Sequence, residues 1–205
     1  MTTETRDPDT AQDPTPEPGV VEWRPGMSSA VTWNAAAILV TGVGLPVFLL
    51  PVMLRSGSGS GSFKVGPVDV LVVVALTALL MVVHEAIHGL VMRGFGARPT
   101  FGATLVGHLV PALYTTADGY RFSRGQYLTV AVAPALTISV LGFLACFGPW
   151  GGFLIVPLAI HLGGCVGDGF AAARTLREPS TSTCEDLRDG IRFRRISVAP
   201  AGRVI

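Results

Sequence analysis

The sequence predicts an all-α integral membrane protein with about four transmembrane helices and a small cytoplasmic-side β-hairpin between the second and third. Three observations carry this reading. Hydrophobic residues make up 49% of the 205 and charged residues only 14%, a balance foreign to soluble domains of this length. Four apolar runs are each long enough to cross a hydrocarbon core of about 30 Å. Between the second and third runs the pattern changes to a strand-like alternation.

Residues 1–29 carry Pro8, Pro14, Pro16, Pro18 and Pro25 among Asp, Glu and Thr, too few apolar residues to pack a core, and are expected to be a disordered tail. They lack the charged-then-apolar pattern of a cleaved leader, so the first apolar segment is expected to remain as an anchor. The membrane domain is expected over 30–177. Val31 to Leu54 would be about 36 Å long as a helix, and Pro46 and Pro51 would kink its far end. SGSGSGS at 56–62 reads as a flexible linker, and Pro67 with Asp69 as a helix start. The second span, Val68 to Arg93, would be about 39 Å long and must tilt or project.

Phe101, Ala103 and Leu105 alternate with Gly102 and Thr104. Gly107-His108 suits a two-residue turn, and Leu109 to Thr116 can return as a second strand, with Pro111 marking an edge. Tyr127 to Phe147 forms the third span, with Pro134 inside it, and Gly148-Pro149-Trp150-Gly151 a tight turn with an interfacial Trp. Gly152 to about Ala173 forms the fourth, where Gly163, Gly164 and Gly167 would let a neighbouring helix approach closely. The tail, 178–205, alternates apolar and basic residues around an Asp189-Gly190 turn. It fits an ordered element and a solvated tail on anionic lipid equally well.

All but two of the 15 Lys and Arg fall on one side of this arrangement, the exceptions being Arg55 and Lys64. The positive-inside rule therefore puts both termini and the hairpin in the cytoplasm of a cell-membrane protein. A net charge of +1 without a basic stripe argues against a nucleic-acid partner. Cys146, Cys165 and Cys184 show no CxxC pairing, which argues against a disulfide scaffold or a zinc ribbon. The partners expected are the bilayer and a protein or peptide substrate. The oligomeric state is not legible.

Chemistry concentrates in Met81 to Met92, MVVHEAIHGLVM. His84 and His88 lie one helical turn apart on one face, with Glu85 beside them, so two imidazoles can converge on Zn2+ while Glu85 reaches a metal-activated water as catalytic base. With four His in the chain, an HExxH arises by chance in about 0.2% of such sequences. Ionisable groups near the centre of an apolar helix cost about 2.5–3.5 kcal/mol each, which again favours a task. A third ligand is needed, and depth selects Asp168. His88 and Asp168 lie about 7.5 Å and 9 Å from the boundary arginines Arg93 and Arg174. His161 is about 10.5 Å deeper than Asp168, too far to share one ion if the helix is unbroken, but on the same face and fit for supporting a ligand or binding substrate. Cys165, one turn from Asp168, is either a softer ligand or a small buried thiol. His108, at the hairpin turn, reads as solvated.

HEAIHG late in one span, a following hairpin, YLTVAVAPAL in the next span and HLGGCVGDG in the last together resemble the small membrane proteins classed as putative zincin peptidases. They are more distantly similar to the site-2 protease group of intramembrane metalloproteases. In that group an aspartate in an LDG motif completes HExxH, and Val166-Gly167-Asp168-Gly169 is similar to it with Gly in place of Leu. The resemblance covers about Val68 to Arg174 and implies a zinc-dependent membrane-embedded endopeptidase. The asparagine- and proline-rich lead into LDG is absent, and His161 stands near the asparagine's place. A rival reading is a non-catalytic membrane adaptor with zinc as a structural staple. A transporter fits poorly, because there is one cluster and no visible inverted repeat.

Overall fold

A chain that enters hydrocarbon must pair its backbone amides internally, and long apolar helices able to do so dominate this structure. The computed structural model describes residues 19–57, 66–106, 110–187 and 190–195. Helices α1 (Met27–Ser56), α2 (Pro67–Gly94) and α3 (Arg124–Ala145) are followed by α4 (Gly151–Gly164) and α5 (Val166–Leu176). Four segments are long and apolar enough to cross a membrane: Ser29–Ser56, Pro67–Gly94, Arg124–Ala145 and Gly151–Leu176. Ile38, Leu71, Leu90 and Leu136 point away from the protein and are largely exposed, as expected of a bundle whose outer surface meets lipid. α1 runs on through Pro46 and Pro51.

The expected hairpin is formed by β2 (Thr100–Val106) and β3 (Val110–Thr116), antiparallel from Thr100 opposite Thr116 to Val106 opposite Val110. Its turn, with Gly107 and His108, lies outside the described residues, as does most of the 56–62 linker. Gly89 on α2 leaves the space that the Phe101 ring fills, so the hairpin packs directly on the helix that carries the motif.

Two features differ from the sequence expectations. The fourth span is two helices, interrupted at Cys165, where the GGC lead offers little helix propensity. Second, a four-stranded antiparallel sheet caps one end of the bundle in the order β1-β6-β5-β4. It joins β1 (Val20–Trp23), β4 (Arg121–Ser123), β5 (Thr183–Leu187) and β6 (Gly190–Arg194). Residues 20–23 of the expected disordered tail are thus a strand, paired with β6. Residues 1–18 and the 188–189 turn lie outside the described residues.

The sheet has its own core, with Phe122, Cys184 and Phe193 fully buried against Met92, Tyr127 and Ile191. A second core, Phe48, Ile138, Cys146, Leu158 and Ala159, lies between the helices. All three cysteines are free and buried. Buried Glu178 ties the sheet to the end of α5 by accepting from Arg174 at 2.6 Å and Arg195 at 2.7 Å. Arg195, then Arg174, hold its carboxyl below the ordinary value of 4.5 against the opposing effect of burial. That stabilisation is complete above pH 4.5 and is lost as pH falls through the lower folded value.

Of Gly163, Gly164 and Gly167, the glycines expected to allow close helix approach, only Gly163 sits where no side chain fits: an added Cβ would collide with Thr41 Oγ1 and the Ala37 carbonyl oxygen of α1. Gly167 faces open space. Gly163→Ala should therefore lower stability by about 1–3 kcal/mol through overpacking. Gly167→Ala should be neutral or stabilising by up to about 1 kcal/mol. Thermal unfolding of the two purified variants checks the contrast.

Candidate metal centre

His84 and His88 are buried on the last turns of α2, and Asp168 stands on the first turn of α5. His84 Nε2 and His88 Nε2 are 3.0 Å apart, and Asp168 Oδ2 lies 3.1 Å from the first and 3.5 Å from the second. Tetrahedral ligands at about 2.0–2.1 Å from zinc are separated by about 3.3 Å, so these three edges match one face of such a tetrahedron. The far side of each imidazole agrees. His88 Nδ1 is 2.9 Å from the Val130 carbonyl oxygen, which can only accept, so the proton sits on Nδ1 and the Nε2 lone pair faces the cluster. His84 Nδ1 is 3.0 Å from His161 Nε2, and with His84 Nε2 turned to the cluster, Nδ1–H donates to His161. The donor set fits a zinc ion.

Glu85 does not belong to this cluster. Its Oε2 accepts from Thr115 Oγ1 of β3 at 2.7 Å, so the hairpin fixes the carboxylate of the residue that follows His84. His161 and Cys165 lie on the opposite side of His84, with Cys165 Sγ 3.8 Å from His84 Nδ1 and 3.6 Å from His161 Nε2. His84, His161 and Cys165 thus make a second group with metal-binding atoms, fully buried and sharing the first group's histidine. The depth argument that separated His161 from Asp168 assumed one continuous helix. α4 and α5 meet at Cys165 with helical hydrogen bonds still bridging the junction, from Cys165 N–H to the His161 carbonyl and from Gly169 N–H to the Cys165 carbonyl, each 3.0 Å, and His161 reaches the far nitrogen of His84 and not the Asp168 side.

A cavity of about 70 Å³, room for a few waters, adjoins the cluster. Its polar lining is His88, Thr115, Tyr127, Asp168 and Asp186. Thr115, Tyr127 and Asp186 carry no motif and were not singled out from the sequence. Asp186 comes from β5, and the Tyr127 hydroxyl bonds its Oδ1 at 3.1 Å. Burial pushes the Asp186 carboxyl up to about 7, opposed by the Tyr127 hydrogen bond and by His88.

Two histidines on one helix facing an aspartate from another are donors of the kind that can hold zinc, and a carboxylate follows the first histidine in sequence. Residues 77–183, just over half of the chain, match the model of a family described as putative zincin peptidase, and the chain belongs to that family. No curated protein and no solved structure matches it. The match takes in both candidate groups, Thr115 and Tyr127, but stops three residues before Asp186.

The raised Asp186 value has a checkable sign. Stability that depends on its neutral form is complete below pH 3.8 and is lost as pH rises through about 7. Asp186→Asn, which cannot ionise, should therefore gain melting temperature over the parent at pH 8, less at pH 5 and little below pH 3.8. The gain at pH 8 corresponds to on the order of a few kcal/mol at most.

Proposed function

We propose that this protein is a zinc-dependent membrane-embedded endopeptidase that cleaves membrane or membrane-proximal peptide segments near the cytoplasmic face. His84, His88 and Asp168 hold the metal and Glu85 is the general base. The observation that carries this reading is the three donor edges of 3.0, 3.1 and 3.5 Å, with both histidines' outer nitrogens bonded elsewhere. Bound zinc supplies Lewis acidity, which acidifies water and polarises a peptide carbonyl. Glu85, oriented by Thr115, takes the proton of the attacking water and delivers it to the leaving amine. His161 holds His84 in the tautomer that leaves Nε2 free. Four helices long and apolar enough to cross a membrane support the membrane setting of the reaction.

A helical substrate shields its peptide bonds, so the scissile segment must be extended before attack. The hairpin takes it up as an added strand, which satisfies its exposed amides. In support, an apolar cavity of about 270 Å³ between α2 and the hairpin reaches Glu85 and is lined by Val82, Phe101, Leu113 and Tyr114. The asymmetry of the basic residues supports a cytoplasmic position for this end of the bundle and for both termini.

One observation favours the adaptor reading: the fully buried His84, His161 and Cys165 group offers a thiol-containing closed site typical of structural zinc. Metal analysis and cleavage of a dye-labelled transmembrane peptide separate the two. Zinc content should fall at least tenfold in His84→Ala, His88→Ala and Asp168→Ala. His161→Ala should weaken affinity by about 10–100-fold while still filling at excess zinc. Glu85→Gln should keep its zinc and lose cleavage by about 100-fold or more. An active Glu85→Gln protein, or full zinc in Asp168→Ala, contradicts the assignment.

A further inference from the structure

α5 has two working faces. Asp168 and Ala171 turn toward the metal donors, whereas Phe170, Ala173, Arg174 and Arg177, at helical spacing i, i+3, i+4 and i+7, wall a separate cavity of about 280 Å³. α1 gives the opposite wall through Ser29, Thr32 and Trp33, and Trp23 of β1 closes one end. Trp33 stacks on Phe170 with centroids 5.3 Å apart and planes 12° from parallel, and Trp23 lies 6.0 Å from Trp33. Among the described residues, no carboxylate lines this space. Arg174 is anchored by Glu178 and lies over the Phe193 ring, whereas Arg177 is exposed and has no ion-pair partner among the described residues.

The location narrows the ligand. The cavity lies where the apolar segment Ser29–Ser56 begins and the segment Gly151–Leu176 ends, the level at which acyl chains give way to headgroups. Tryptophans prefer that level, and guanidinium groups match phosphate oxygens in a fork geometry. A choline or ethanolamine headgroup would bring a second cation against Arg177, and an unattached phosphate would leave the indole and phenyl walls unused.

We propose that this cavity is a binding site for one anionic phospholipid, its phosphate held by Arg177, Arg174 and the Ser29 and Thr32 hydroxyls, its glycerol and upper acyl carbons against Trp33 and Phe170. The lipid spans α1 and α5 and so braces, from behind, the helix that carries Asp168. The site does not depend on the peptidase reading.

Native mass spectrometry of the full-length protein in detergent tests this with three probes: phosphatidylglycerol, phosphatidylcholine and inorganic phosphate. The parent should retain one phosphatidylglycerol at concentrations where phosphatidylcholine is retained at least tenfold less. Arg177→Gln should reduce phosphatidylglycerol retention about tenfold, the scale of one lost charge-assisted hydrogen bond. Arg93→Gln, which removes an exposed arginine outside the cavity, should leave it unchanged. Equal retention of the two lipids, equal losses in the two variants, or displacement of phosphatidylglycerol by millimolar inorganic phosphate would each overturn the proposal.

Discussion

An imidazole inside an apolar bundle has two ring nitrogens to satisfy, and the arrangement around His84 follows from that requirement. One nitrogen faces His88 and Asp168 and the other faces His161. Each direction demands a partner from a different stretch of chain, so α2, α4 and α5 must meet at one depth. α4 and α5 join at Cys165, with His161 of α4 against the outer nitrogen and Asp168 of α5 against the inner one. Gly163, on the far side of α4, lets α1 press against the same segment. The polar cluster therefore dictates the packing of the apolar helices around it.

The sheet and the hairpin reach the same centre from outside the four long apolar helices. β3 holds Glu85 through Thr115, and β5 brings Asp186 to the cavity through Tyr127. The sheet is stapled to α5 by buried Glu178, whose two arginine partners come from α5 and from the residue after β6. Because Asp168, the Glu178 staple and the Trp33–Phe170 stack all involve α5 or its end, that 11-residue helix links the donor cluster, the sheet and the cavity shared with α1.

The spans were legible because membrane-length apolar runs are a local signal, and His84, Glu85 and His88 because helical spacing fixes their geometry. The hairpin strands were visible in the Phe101 to Leu105 alternation. The second sheet was not foreseen as a whole, for a physical reason. β1 pairs with β6 across nearly the full chain, and a four-residue strand among prolines has no periodicity to reveal it. The same holds for Thr115 and Asp186, ordinary residues whose roles come from what long-range pairing sets beside them. Depth arithmetic paired His88 with Asp168 correctly in level. It could not see the turn at Cys165, because two glycines weaken a helix without stating where it stops.

The account rests on which side of His84 holds the metal. X-ray absorption at the zinc edge of the full-length protein answers this directly, since nitrogen and oxygen ligands scatter at about 2.0–2.2 Å and sulfur at about 2.3 Å. Ligation by His84, His88 and Asp168 predicts a first shell of nitrogen and oxygen alone, with two imidazoles and no sulfur. A shell containing one sulfur would put zinc with His161 and Cys165 and contradict the hydrolytic centre.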